Sequence, residues 1–175
     1  MKAAVIVFPG SNCDRDVRRA VSESLNTAVD MVWHEDEAFA PGTDLVILPG
    51  GFSYGDYLRS GAMAARSPII KAVREHADRG GLVLGICNGF QILTETKMLP
   101  GALLPNTSLT FICRRCHIRV ERTDNKFTAG LKEGEILQFP IAHHEGLFFL
   151  PDDELKILED AGRVVFRYAD PDTGR

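Results

Sequence analysis

The sequence predicts an α/β protein built on an open, doubly wound and mainly parallel sheet. Three observations carry that expectation. Three early segments repeat one order: an apolar strand, a glycine-rich turn, then a helix start. Their apolar stretches are continuous rather than alternating, the pattern of strands covered on both faces by helices. Strand and helix patterns then alternate as β-α-β-β-α-β-α, which places successive strands side by side with helices as crossovers.

Taken in order, residues 3–8 form the first strand, followed by the turn Pro9-Gly10-Ser11-Asn12. Ser11 or Asn12 stands where a side-chain oxygen caps a helix running to Leu25, with Val17, Ala20, Val21 and Leu25 at helical spacing. Residues 28–34 read as a second strand. Leu45-Val46-Ile47-Leu48 is a third, leading into Pro49-Gly50-Gly51-Phe52-Ser53-Tyr54-Gly55-Asp56. A helix over 68–79 closes at Gly80-Gly81. Leu82-Val83-Leu84-Gly85-Ile86 is the fourth strand, with Cys87 at its end and a helix from Asn88 to Thr96. All three glycine-rich turns follow strand carboxyl ends, the edge at which such sheets bind ligands, so they are expected to converge on one crevice.

After Pro100 the pattern changes. Residues 109–122 and 135–142 read as strands of a more antiparallel portion, 152–160 as a short helix and 163–169 as a late strand. Residues 1–175 show no repeat, low-complexity tract or linker, and are expected to form a single domain. The closing Asp170-Pro171-Asp172-Thr173-Gly174-Arg175 is turn-like, so the domain reads as lacking its C-terminal end.

Composition removes several function classes. Twenty Lys and Arg against 24 Asp and Glu give a net charge of −4, with no basic footprint for nucleic acid or anionic membrane. No apolar run approaches the roughly 20 residues that span a bilayer. Met1-Lys2 runs straight into the first strand and Pro9-Gly10, unlike a signal peptide. The expected location is cytoplasmic. Four cysteines, Cys13, Cys87, Cys113 and Cys116, are too few for a disulfide scaffold and are read as core residues or reactive thiols.

The chemistry centres on Gly85-Ile86-Cys87-Asn88-Gly89. A strand that turns sharply into a helix holds a nucleophile in a strained, exposed conformation, and glycines two residues either side relieve the crowding. The N-terminal N–H groups and dipole of the following helix favour thiolate over thiol and stabilise an oxyanion. The bland alternative is a core cysteine beside an ordinary turn. Gly51 is a natural second oxyanion donor, because glycine lets a backbone N–H approach a substrate. Gln91 lies one helical turn beyond Cys87 and is placed to face the same pocket. Cys13 is a rival thiol near a helix start, without flanking glycines.

Gly85-Ile86-Cys87-Asn88-Gly89-Phe90-Gln91 resembles the G-x-C-x-G-x-Q elbow of class I, triad-type glutamine amidotransferases. Pro9-Gly10-Ser11-Asn12-Cys13-Asp14 and Gly50-Gly51-Phe52-Ser53-Tyr54-Gly55-Asp56-Tyr57-Leu58-Arg59 narrow the resemblance to the glutaminase subunits of phosphoribosylformylglycinamidine synthase, in purine biosynthesis. Phe111-Ile112-Cys113-Arg114 and Ala142-His143-His144-Glu145-Gly146 are similar to the same family, which usually has glycine where His144 stands. The resemblance implies a flavodoxin-like amidotransferase fold. It implies that Cys87 attacks the glutamine carboxamide to give a γ-glutamyl thioester and ammonia, and that the backbone at Gly51 and Asn88 holds the oxyanion. Gln91 and His143 would lie near the bound glutamine. Ammonia would pass to a synthetase subunit carrying ATP and Mg²⁺, with a small accessory subunit as a further expected partner. No cofactor or metal is expected on this chain.

A thiol nucleophile wants a base and an orienting carboxylate. The family supplies them from a His-Pro-Glu motif that this sequence does not contain, so they are expected beyond residue 175. His143-x-Glu145 has the right spacing but matches a different stretch of the family, and is read as a loop near the glutamine pocket. Cys113-x-x-Cys116-His117 spells a haem-attachment pattern; inside a strand, however, its cysteines point to opposite faces, against both haem and zinc. Arg114, Arg115, Arg119 and Arg122 are read as a solvated surface. Two other functions stay open at this point: a silent scaffold or regulatory subunit that keeps the elbow, and a stand-alone cysteine hydrolase or stress protein sharing it.

Overall fold

A computed structural model describes residues 1–170 and Thr173. The chain divides into two compact units, Met1–Ala102 and Leu103–Arg175.

The first unit carries the predicted order. Strands β1 (Ala3–Val7), β2 (Val29–Trp33), β3 (Leu45–Leu48) and β4 (Leu82–Gly85) form one parallel sheet in the order β2-β1-β3-β4. Helices α1 (Asp14–Leu25), α2 (Ile69–Asp78) and α3 (Asn88–Glu95) cover it. The period-two geometry of strands sorts the core onto two faces. Ala4, Ile6, Phe8, Val46 and Leu48 pack with Ile69, Ile70 and Val73 of α2 and Ile92 and Leu93 of α3. Ala3, Val5, Leu45 and Ile47 pack on the opposite face with Val17 and Val21 of α1. Residues of β1 and β3 are therefore buried whichever way they point, which is why their sequences are apolar throughout.

One local expectation changes. The N-cap of α1 is Cys13 rather than Ser11 or Asn12, and no side chain caps the helix. The Ser11 hydroxyl is instead committed to the Gly50 carbonyl oxygen, 3.4 Å away. The glycine-rich segment after β3 passes through a turn at Ser53–Asp56, in which Tyr54 and Gly55 are left-handed at φ 54° and 66°, to a short 3₁₀ turn at Ala64–Arg66.

The second unit is mainly antiparallel. Strand β6 (Ile112–Val120) lies between β7 (Ile136–His143) and β9 (Phe166–Ala169), antiparallel to both. Strands β5 (Ala102–Leu104) and β8 (Leu147–Phe149) pair separately, and α4 (Asp152–Asp160) precedes β9. The long strand predicted over 109–122 is shorter at both ends, since Leu109 takes a left-handed φ of 52° and Val120 ends the ladder. Strands β5 and β8 were invisible in the pattern because three residues show no periodicity. Among the described residues no helix is long and apolar enough to cross a membrane.

Candidate active site

The glycine-rich turns do converge. All three follow carboxyl ends of parallel neighbours, β1, β3 and β4, so chain direction alone delivers them to one edge. Gly50 marks the meeting point: a Cβ built there would lie 3.3 Å from the Cys87 Cβ and 3.8 Å from the Cys13 Cβ. Gly10 meets the Phe52 carbonyl in the same way, at 2.7 Å, and the Tyr54 N–H donates to the Pro9 carbonyl at 2.6 Å.

Cys87 sits at the N-cap of α3 with φ 51° and ψ −109°, a conformation that L residues rarely adopt. Holding it there costs on the order of 1–3 kcal/mol, which the surrounding packing must offset. The flanking glycines explain how. A Cβ on Gly85 would lie 2.5 Å from Leu93 Cδ1 and 2.8 Å from the Gly89 carbonyl carbon, and one on Gly89 would collide with Leu48. Both are required for α3 to turn back against the sheet. Ile86 and Cys87 are left exposed, while Asn88 and Gly89 are buried. The carbonyl of Cys87 accepts from the Phe90 and Gln91 N–H groups at 3.0 and 3.1 Å and so opens the helix.

Gly51 has φ +123°, and a Cβ would lie 2.6 Å from Asn12 Oδ1 and 2.7 Å from the Asn12 backbone nitrogen. Only glycine is accommodated. Among the described residues, neither the Gly51 nor the Asn88 N–H meets an acceptor. That leaves two unpaired backbone donors, one on the elbow and one on the residue after Gly50, which meets it.

The CobB/CobQ-like glutamine amidotransferase domain matches residues 1–175. The chain belongs to this family. The amidotransferase is 54% identical over 172 residues to the phosphoribosylformylglycinamidine synthase subunit PurQ of Rhodopseudomonas palustris (strain ATCC BAA-98 / CGA009), covering 98% of this chain and 74% of the relative. It is 56% identical over 174 residues to the PurQ subunit of Cereibacter sphaeroides, covering 99% and 78%. Among solved structures it is similar to a chain of PurLQS from Thermotoga maritima, at 44% identity and a TM-score of 0.84, over 97% of this chain and 74% of that one.

Gln91 of the amidotransferase lies in the first turn of α3. It is buried, and its Oε1 accepts from Asn88 Nδ2 at 3.0 Å. The Asn88 side chain, to which the sequence assigned no role, also donates to Asp56 Oδ1 and accepts from the Ser53 N–H, both at 3.2 Å. Ser53 and Asp56 were likewise missed, because these contacts join residues more than thirty positions apart. Arg59 closes the same segment with two 2.6 Å hydrogen bonds to Glu95 at the end of α3.

The rival thiol is poorly equipped. Cys13 is half-buried, and burial, followed by Asp16, Cys87 and Asp14, raises its pKa above the ordinary thiol value. The two histidines of the same unit are occupied. His34 is buried with its Nδ1 at 2.8 Å from the Tyr54 hydroxyl, and buried His76 has Nε2 at 3.2 Å from the Leu82 carbonyl oxygen.

In the second unit, His143 Nδ1 lies 2.9 Å from Asn106 Oδ1. The Asn106 amide nitrogen is spent on the Thr110 and His143 carbonyls, so its oxygen is an acceptor and His143 carries its proton on Nδ1. Nε2 is buried and without a partner among the described residues. Glu145 pairs with His144 at 3.1 Å, so the partner that orients His143 is an amide and not a carboxylate. The His-x-Glu spacing makes no dyad here. Cys113 is exposed and Cys116 half-buried, and both are free thiols. Their three-residue separation on β6 puts them on opposite faces, as expected.

Proposed function

We propose that this chain is the glutaminase subunit of a phosphoribosylformylglycinamidine synthase, hydrolysing glutamine through Cys87 and passing the ammonia to a synthetase subunit. The observation that carries the reading is the elbow. An exposed cysteine at φ 51° stands at the N-cap of α3, between two glycines that steric contact requires and against the loop that carries the Gly51 donor. The likeness to PurQ subunits across nearly the whole chain supplies the substrate and the partner.

In this reading the Cys87 thiolate attacks the carboxamide carbon of glutamine. The C=O π pair moves onto oxygen, and the Asn88 and Gly51 N–H groups receive that charge. Collapse of the tetrahedral adduct, with the proton that left the Cys87 thiol transferred to the amide nitrogen, expels ammonia and leaves a γ-glutamyl thioester. Water then attacks the thioester, releasing glutamate and restoring the thiol. Gln91 contributes through Asn88, and the family likeness alone assigns His143 to glutamine binding. The chain itself needs no cofactor or metal; ATP and Mg²⁺ belong to the synthetase, whose own chemistry consumes the ammonia. A small accessory subunit is a further partner, and the compartment is the cytoplasm.

The test uses the complex assembled with its synthetase. Cys87→Ala should abolish amidation driven by glutamine while amidation driven by added ammonium salt persists. Glutamine-driven amidation surviving in Cys87→Ala would overturn the assignment.

A further inference from the structure

The residue after the nucleophile contributes more than a backbone N–H. Asn88 is only 2% exposed, and its side chain makes three hydrogen bonds. Two of them reach the segment after Gly51: Oδ1 accepts from the Ser53 N–H, and Nδ2 donates to Asp56 Oδ1, each at 3.2 Å. The third, Nδ2 to Gln91 Oε1 at 3.0 Å, braces the amide against its own helix.

That segment needs holding. Tyr54, Asp56 and Leu58 all have left-handed φ, at 54°, 55° and 72°, a region unfavourable for side chains with a Cβ. It is tethered internally by the Gly55 N–H to the Phe52 carbonyl at 2.8 Å and the Tyr57 N–H to the Tyr54 carbonyl at 3.5 Å, and outward to the first loop by the Tyr54 N–H to Pro9. Asn88 grips it at both ends of the Ser53–Asp56 turn, two residues beyond Gly51.

We propose that the Asn88 side chain is a positioning residue that sets the Gly51 donor relative to the Asn88 donor, joining the two halves of the oxyanion site through Ser53 and Asp56. One residue thus carries one donor and locks the loop bearing the other. Buried amides satisfied on both oxygen and nitrogen specify a single geometry, since any slip leaves a polar group unpaired. An error of about 1 Å in such a site costs up to roughly 100-fold in rate. The proposal rests on the reading of Cys87 as a glutaminase nucleophile.

The pattern of donors makes a reciprocal test available. Asn88→Asp keeps the acceptor for Ser53 but faces the Asp56 carboxylate with a second one. Adding Asp56→Asn exchanges donor and acceptor, so that an amide at 56 donates to a carboxylate at 88. In the complete complex, Asn88→Asp should lower kcat for glutamate formation about 10- to 100-fold. KM should change far less. Alkylation of Cys87 by iodoacetamide, which develops no oxyanion, should stay within about twofold of wild type because the elbow itself is intact. The double variant should recover most of kcat.

Unchanged kcat in Asn88→Asp would overturn the proposal. So would alkylation falling in step with kcat, or a double variant no better than Asn88→Asp. A Cys87→Ala complex run alongside separates the two readings. If it still forms glutamate, the glutaminase assignment fails and the proposal with it; if it is dead while Asn88→Asp is unaffected, the proposal alone fails.

Discussion

The bare Cα of Gly89 lies against the backbone of Leu48: a Cβ there would stand 1.9 Å from the Leu48 carbonyl oxygen and 2.6 Å from its carbon. The last turn of strand β3 and the first turn of helix α3 are thus in backbone contact. The nucleophile is aimed by that contact, because α3 cannot begin anywhere else without losing it. Gly85 plays the matching part on the strand side, leaving room for Leu93 and for the Gly89 carbonyl.

Gly89→Ala should therefore be among the most damaging single-methyl additions in the chain. Overpacking typically costs about 1–3 kcal/mol and more where backbone must move. Nothing lies within 4 Å of the Cβ position at Gly130, so Gly130→Ala is the control. Thermal unfolding should show a fall of at least about 5 °C for the first and little for the second. Equal melting temperatures would mean that the contact does not constrain the elbow.

Thiol chemistry should separate Cys87 from Cys13 at neutral pH. The reactive form is the thiolate, and a raised pKa reduces its population. Cys13 is half-buried, with its pKa raised first by that burial and then by Asp16, Cys87 and Asp14, whereas Cys87 is exposed. With a limiting haloacetamide, peptide mass spectrometry should find Cys87 modified ahead of Cys13. The Cys13 signal should grow only as pH rises past the ordinary thiol range. Cys13 modified first at neutral pH would contradict the description of the crevice.

Asn106 is the polar anchor of the second unit. It is 4% exposed, and its side chain bonds the Thr110 and His143 carbonyls, His143 Nδ1 and the Gly146 N–H. Asn106→Ala strands several buried groups at once, each worth about 1–3 kcal/mol when left unpaired. The Gly146 amide should then exchange with solvent markedly faster, and the His143 ring should lose its fixed tautomer in nitrogen-resolved NMR. Unchanged exchange at Gly146 would show that water replaces the amide without cost.

The parallel sheet was legible because burial on both faces leaves an unmistakable apolar run in β1 and β3, and the elbow because glycines flank a cysteine where a strand ends. The convergence of the turns followed from strand direction alone. What could not be read was the side-chain wiring between turns. Asn88 reaches Ser53 and Asp56 across 35 and 32 residues, and nothing in the local pattern distinguishes a buried asparagine that bridges loops from one that caps a turn. The resemblance alone places His143 near the glutamine pocket, and the local pattern gives no sign of its Nδ1 partner, Asn106, 37 residues upstream. The cap of α1 misled for a related reason: the Ser11 hydroxyl that suits a cap is drawn to Gly50 on the adjoining loop.

The proposed function requires that Cys87 form the covalent bond to glutamine. The most direct measurement is labelling of the complex assembled with its synthetase by a diazoketone analogue of glutamine, read by mass spectrometry with excess glutamine as competitor. A single adduct on Cys87 is expected, suppressed by glutamine and absent from Cys87→Ala. An adduct on Cys13, Cys113 or Cys116, or one that glutamine does not protect against, would contradict it.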